Sequence, residues 1–248
     1  MKKYKALKQE RMPFNWCPGC GINIIALKLS EFLEKNDYTN KNTAIISGIG
    51  CSGRFAGYFN MDTMHTTHGR AIPTAEGLKL VNPNLNVIVV CGDGDLLSIG
   101  LNHTIHSSRR NADIKVICLN NSIYAMTGGQ TSPTTQKGWI TQTSPNGNKY
   151  ESINAYKIIC KPFNRFFARI TPLSRELFEK SLYEAFSRKS FSFIEVVLPC
   201  YENDFRRNGS RNPSLALKLF TEKYKDVGYT ENLKNNEIGI IKNHGNKR

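Results

Sequence analysis

No run in this 248-residue chain approaches the roughly 18 consecutive apolar residues that a membrane-spanning helix needs. The most continuous stretch, Val87-Ile88-Val89-Val90-Cys91, is the size of a strand. The amino terminus, Met1-Lys2-Lys3-Tyr4-Lys5, is basic, but neither an apolar segment nor a small-residue cleavage site follows it. An unprocessed cytoplasmic protein without membrane association is expected. Acidic residues are scarce beside basic ones, 20 against 34, and the net charge is +14. Such an excess raises nucleic acid as a partner, but its distribution argues the other way. Between Met61 and Asn148 six Lys/Arg face five Asp/Glu, so the centre is nearly neutral. The excess lies in an arm containing Lys2, Lys3, Lys5, Lys8 and Arg11 and in the last 100 residues or so. No zinc finger, recognition helix or base-stacking platform accompanies it, so no nucleic acid partner is expected. The seven cysteines are odd in number and unevenly spaced, which argues against a structural disulfide framework. With 40 % hydrophobic and 22 % charged residues, the chain can build a core, and wholesale disorder is excluded.

Hydrophobic periodicity divides the chain into alternating elements. Gly21 to Lys35 reads as a helix with Ile25, Leu29, Phe32 and Leu33 on one face. Thr43 to Ser47 reads as a buried strand opening into Gly48-Ile49-Gly50-Cys51-Ser52-Gly53. A helix over Thr74–Val81 stops at Asn82-Pro83, and the strand Asn86–Cys91 ends in Gly92-Asp93-Gly94-Asp95. Helix Leu96–Ser108 and strand Ile114–Leu119 follow, then Asn120-Asn121 and a polar stretch from Thr127 to Lys149. Helix Ile153–Ile159, strand Phe166–Ile170, helix Ser174–Ser187 and strand Phe191–Leu198 complete the series. The alternation predicts an α/β fold, a mostly parallel sheet with helices on both faces. Ligands of such sheets bind beyond the carboxyl ends of the strands, where every unusual segment here falls. Three regions are expected: a basic arm over 1–12, one domain over 13–200, and a polar tail over 201–248 with a helix at Leu215–Tyr224.

The strongest chemical signal is Gly92-Asp93-Gly94 followed, 25 residues on, by Asn120-Asn121. Magnesium takes hard oxygen ligands in octahedral geometry and usually keeps phosphate oxygens and water. Asp93 and Asn121, at neighbouring strand ends, offer two such ligands. The glycines admit backbone N–H groups to a diphosphate, aided by the helix beginning near Leu96. Cys17-x-x-Cys20 by itself fits a zinc site, a redox pair or half an iron–sulfur site. Cys51 at one strand end and Cys200 after another would bring the thiols to four if both strands end on the same side. Gly48-x-Gly50-x-x-Gly53 also matches a dinucleotide fingerprint, but no acidic residue closes the next strand at ribose distance. His65-x-x-His68 has no third ligand in motif spacing. Cys91, Cys118 and Cys160, and likewise His103 and His106, read as packing or surface residues.

Taken with Trp16-Cys17-Pro18-Gly19-Cys20-Gly21, Gly48–Arg54, His65–Ala71 and Met126-Thr127-Gly128-Gly129-Gln130, the Gly-Asp-Gly…Asn-Asn pair resembles the thiamine diphosphate signature. The five motifs in this order resemble the β subunit of 2-oxoacid:ferredoxin oxidoreductases, 2-oxoglutarate synthase in particular, from about Met12 to Cys200. The resemblance implies a thiamine diphosphate-binding domain of the pyrophosphate type. It implies oxidative decarboxylation of a 2-oxoacid to acyl-CoA and carbon dioxide, with electrons passing through a [4Fe–4S] cluster to ferredoxin. By resemblance Cys17, Cys20, Cys51 and Cys200 hold the cluster, and Asp93, Asn121 and the Ile123 carbonyl hold Mg2+. Ile49, Gly50, Cys51, Ser52, His68, Gly94, Asp95, Ala125 and Met126 would line the cofactor. The glutamate that activates the cofactor is expected on a partner α subunit, with which further small subunits can assemble, so the chain alone is expected to be inactive. The basic excess suits an acidic ferredoxin. Several relatives carry lysine where this chain has Gly128. That leaves pyruvate and branched-chain 2-oxoacids beside 2-oxoglutarate, and a cluster-free thiamine diphosphate decarboxylase or synthase remains the alternative.

Overall fold

A computed structural model of the chain describes residues 4–208 and 212–242. Ten strands are present among them: β1 Thr43–Ser47, β2 Asp62–His65, β3 Asn86–Gly92, β4 Lys115–Asn120, β5 Ile123–Tyr124, β6 Gln130–Thr131, β7 Phe166–Ile170, β8 Ser192–Val197, β9 Lys225–Thr230 and β10 Glu237–Ile241. Eight form one sheet in the order β2-β1-β3-β4-β8-β7-β10-β9, and β5 pairs with β6 apart from it. Every pairing in the large sheet is parallel except β7 with β10.

Alternation along the strands builds two cores, because successive side chains of a strand point to opposite faces. Ile45, Ile88, Val90, Ile117, Leu119, Ile194 and Val196 face one way and pack under helices α1 (Ile22–Lys35) and α4 (Arg175–Phe186). Ala44, Ile46, Val87, Val89, Val116 and Phe193 face the other. There they meet helix α2 (Ala71–Val81) and the segment from Asp95 to Ile99 that precedes helix α3 (Leu101–Arg110). Cys91, Cys118 and Cys160 lie in this second core, where burial holds their thiols well above the ordinary range. Each fully buried aliphatic side chain contributes roughly 1.5–3 kcal/mol. Among the described residues no helix is long and apolar enough to cross a membrane.

Two expected elements differ. The helix expected over Ile153–Ile159 is a single wide turn, Tyr156–Cys160, and the one expected over Leu96–Ser108 is interrupted at Gly100. A side chain at Gly100 would lie 2.4 Å from the Asp95 carbonyl, so the chain changes helical pitch there.

The expected polar tail over 201–248 is corrected over its described part. Helix α5 (Pro213–Glu222) packs beside the domain, while β9 and β10 extend the sheet. Ile238, Ile240 and Ile241 enter the two cores, so apolar burial fastens this segment. The expected basic arm over 1–12 is also fastened. Ala6 and Leu7 are buried, and Leu7 bridges Phe59. Met1, Lys2 and Lys3 of the arm, and residues 209–211 and 243–248 of the tail, lie outside the described residues.

Candidate functional site

Because β1, β3, β4 and β8 are parallel and adjacent, their carboxyl ends deliver four loops to one edge of the sheet. These are Gly48–Gly53 after β1, Asp93–Asp95 after β3, Asn121 after β4, and Leu198–Cys200 after β8. The amino-terminal Cys17–Cys20 turn reaches the same edge by a different route. Phe14, Trp16, Phe55 and Tyr58 form an aromatic cluster, with Trp16 4.9 Å from Tyr58 and 5.9 Å from Phe55 between ring centres. The Trp16 indole N–H donates to the Cys51 carbonyl at 2.8 Å, which ties the two cysteine-bearing loops together.

Two adjoining cavities result. The first is lined by all of the residues expected at the cofactor: Ile49, Gly50, Cys51, Ser52, His68, Gly94, Asp95, Ala125 and Met126. Asp93, Asn121 and Ile123, the expected magnesium residues, border it too. The second, of about 280 Å³, is lined by Cys17, Cys20, Cys51 and Cys200 together. Cys51, Asn121, Ala125 and Met126 belong to both walls. His65 lies elsewhere, beside Arg11 and Arg54 in a separate open pocket.

The first cavity is held in shape by Asp95. Its buried carboxylate accepts the Gly69 N–H at 2.6 Å on Oδ1 and the Ile49 N–H at 3.0 Å on Oδ2. One side chain thus fixes the β1 loop and the 65–71 loop against its own, so Asp95 acts by position rather than by offering a free oxygen. His68 Nδ1 stands 3.4 Å from Asp95 Oδ1 and is buried without a hydrogen-bond partner. The glycines let these loops pack closely, because a Cβ would collide with neighbouring side chains. At Gly94 it would sit 2.2 Å from the Tyr124 ring, and at Gly48 1.6 Å from Asp95 Oδ2. Asp93 is buried, and burial pushes its carboxyl above the usual carboxylate range against hydrogen bonds from Ser132 and Thr134. Asn121 Oδ1 accepts the Ile123 N–H at 3.3 Å. Gly50 and Gly94 in the cavity wall, a buried imidazole nitrogen without a hydrogen-bond partner and two hard oxygen donors fit a diphosphate with magnesium.

The second cavity suits a different group. All four thiols are free, and no three His, Cys, Asp or Glu among the described residues are gathered closely enough for a single metal ion. A cubane cluster asks for something wider, four thiolates each on a different iron around a shared space. Burial, and secondarily the neighbouring thiols, push Cys20 up to about 11, and burial foremost lifts Cys200 to about 12 and raises Cys51. Four sulfurs lining one cavity fit a [4Fe–4S] cluster.

Sequence reasoning missed Thr134. Thr134 Oγ1 meets Asp93 Oδ2 at 2.6 Å and Asn120 Oδ1 at 2.9 Å. Nothing in a run of Ser, Thr and Gln announces which hydroxyl turns inward. Gly128 has φ +117°, a conformation that strains any residue with a Cβ.

These features define a thiamine diphosphate-binding domain, and residues 48–196 match the thiamine pyrophosphate enzyme, C-terminal TPP binding domain. The 2-oxoglutarate synthase subunit KorB of Archaeoglobus fulgidus is 39 % identical over 240 residues, covering 95 % of this chain and 87 % of that protein. That of Methanothermobacter thermautotrophicus is 41 % identical over 216 residues, covering 87 % and 76 %. The solved 2-oxoglutarate:ferredoxin oxidoreductase from Magnetococcus marinus, with 2-oxoglutarate, coenzyme A and succinyl-CoA bound, aligns over 94 % of this chain and 76 % of its own. Its TM-score is 0.82 at 26 % identity. The chain belongs to the family of 2-oxoacid:ferredoxin oxidoreductase β subunits, which includes the 2-oxoglutarate synthase subunits KorB.

Proposed function

We propose that this chain is the β subunit of an enzyme that oxidatively decarboxylates 2-oxoglutarate with coenzyme A to succinyl-CoA and carbon dioxide, reducing ferredoxin. The observation that carries the reading is the shared wall. Cys51, Asn121, Ala125 and Met126 border both the diphosphate cradle and the four-cysteine cavity, so a two-electron oxidation on one side has a one-electron outlet on the other. Bound thiamine diphosphate supplies an electron sink for decarboxylation, and a [4Fe–4S] cluster accepts electrons singly. The remaining chemistry belongs to the chain's own groups. Ile49, Gly50, Ser52, Gly94 and His68 would take the diphosphate, with Asp95 fixing their loops. Asp93, Asn121 and the Ile123 carbonyl would hold Mg2+, and Cys17, Cys20, Cys51 and Cys200 the cluster.

One requirement is not met within this chain. The only carboxylates lining the cofactor cavity among the described residues are Asp93 and Asp95. Asp93 is bonded to Thr134, and Asp95 to two backbone N–H groups. Both are engaged in holding the site, which supports the reading that the activating carboxylate comes from a partner α subunit, as in the family the chain resembles. Accordingly, the chain purified alone, loaded with thiamine diphosphate and Mg2+, is expected to give no 2-oxoglutarate-dependent ferredoxin reduction. The complex with its α subunit is expected to turn over. Turnover by the single chain would overturn the division of labour, and a complex that oxidises pyruvate or a branched-chain 2-oxoacid but not 2-oxoglutarate would overturn the substrate.

A further inference from the structure

The polar segment Ser132-Pro133-Thr134-Thr135 lies against the loops that carry Asp93 and Asn121, and its two threonines bond to both of them. Thr134 Oγ1 reaches Asp93 Oδ2 at 2.6 Å, and Thr135 Oγ1 donates to the Ser122 carbonyl at 2.6 Å. Ser122 is the residue after Asn121 and has φ 58°, so the turn that aims Asn121 depends on local hydrogen bonds to hold it. A second bond holds the same turn, from the Ser122 N–H to Asn120 Oδ1 at 3.1 Å. We propose that Thr134 and Thr135 form a clip that sets the separation of Asp93 and Asn121, making both threonines positioning residues for the magnesium site.

The direction of the Thr134 hydrogen follows from the two distances. The hydroxyl has one hydrogen and faces two acceptors, Asp93 Oδ2 and Asn120 Oδ1 at 2.9 Å. Asn120 Oδ1 is already served by the Ser122 N–H. The Thr134 hydrogen is directed to the nearer acceptor, Asp93 Oδ2, where it joins hydrogen bonds to the same carboxylate from Ser132 and from the backbone N–H groups of Asp93 and Asn121.

The clip is itself anchored. The Asn120 amide donates to Glu195 Oε1 at 2.8 Å, and Arg169 Nε donates to Glu195 Oε2 at 2.6 Å. Arg169 Nη1 continues to the Lys234 carbonyl at 2.9 Å, in the loop between β9 and β10. Asp93, Thr134, Asn120, Glu195 and Arg169 are 1 %, 5 %, 6 %, 3 % and 4 % exposed. Cross-strand register makes the path continuous, since Cys118 on β4 pairs with Glu195 on β8, which pairs with Arg169 on β7. A buried ion pair adds little stability over an apolar pair of like volume, so its presence here is better accounted for by what it holds in place. The inference extends to the carboxyl-terminal strands, whose loop receives the far end of the chain of bonds. Outer partners of metal ligands commonly govern affinity in this way.

The inference rests on Asp93 being a magnesium ligand, and the test separates the two. The α–β complex is stripped of metal and cofactor, and Mn2+ binding in the presence of thiamine diphosphate is followed by the electron paramagnetic resonance of free Mn2+. Thr134→Val is expected to weaken Mn2+ binding roughly 10- to 100-fold. Thr134→Ser, which keeps the hydroxyl, is expected to restore it. If the valine variant does not assemble, Thr134→Ala removes the hydroxyl without a new methyl group and is expected to show the same loss. Asp93→Asn is the control. Loss of Mn2+ binding in Asp93→Asn with wild-type affinity in Thr134→Val would overturn the clip and leave the metal assignment standing. Wild-type affinity in Asp93→Asn would overturn the metal assignment itself.

Discussion

Replacing Gly48 with alanine is expected to abolish thiamine diphosphate binding. The added Cβ would lie 1.6 Å from Asp95 Oδ2, 2.6 Å from its Cγ and 3.0 Å from Cys91 Sγ. None of these can move cheaply. Asp95 is buried and bonded to two backbone N–H groups, and Cys91 lies inside β3. Displacing the carboxylate breaks bonds to a charged group worth about 1.5–3 kcal/mol each. It also frees the Ile49 and Gly69 loops from each other, and these bring Gly50, Ser52 and His68 to the cavity. Loss of both bonds corresponds to at least about 100-fold in affinity. Titration calorimetry of the cofactor-free complex measures it directly. Gly77→Ala is the matched control, because a Cβ there meets nothing within 4 Å and the site is inside helix α2. It should bind normally and gain up to about 1 kcal/mol of stability. Normal binding by Gly48→Ala would mean that Asp95 does not organise the cradle.

Replacing Cys200 with serine is expected to remove the iron while leaving the diphosphate cradle intact. Cys200 lines the four-cysteine cavity but not the cofactor cavity, whereas Cys51 lines both. A cubane needs four thiolates, so three should leave the cluster unassembled or oxygen-labile. Iron and acid-labile sulfide should fall from about four each per chain to a small fraction. Thiamine diphosphate affinity should stay at the wild-type level, while electron transfer to ferredoxin is lost. Cys118→Ser is the control, since Cys118 is buried in the sheet and borders neither cavity. Full iron in Cys200→Ser would remove Cys200 from the ligand set. Joint loss of iron and cofactor would show that the two cavities do not form independently.

How much of this was legible in the sequence depends on what each residue reports. Thr43–Ser47 and Phe166–Ile170 are observed with the bounds their apolar runs predict, because buried parallel strands are nearly continuous in hydrophobic residues. The site motifs were legible for a related reason. Parallel strands end on one side, so unusual residues at several strand ends must meet. β2 was not legible. Asp62-Thr63-Met64-His65 is exposed at the sheet edge and has no apolar alternation, so only pairing with β1 makes it a strand. β9 was hidden likewise, in a lysine- and asparagine-rich stretch that reads as solvated. The role of Thr134 could not be read because polar periodicity does not say which hydroxyls turn inward. Asp95 was legible as a cavity residue but not as a brace, since the backbone groups it bonds come from loops 26 and 46 residues away.

The measurement that tests the central claim most directly is the iron, acid-labile sulfide and thiamine diphosphate content of the anaerobically purified α–β complex, taken with its visible spectrum. The expected result is a broad visible absorption band, with about four iron and four sulfide per β chain, beside bound thiamine diphosphate. Thiamine diphosphate without iron, after attempted cluster reconstitution, would contradict it. Cys17, Cys20, Cys51 and Cys200 would then line a cavity that holds no cluster, and the shared wall would have no electron to pass.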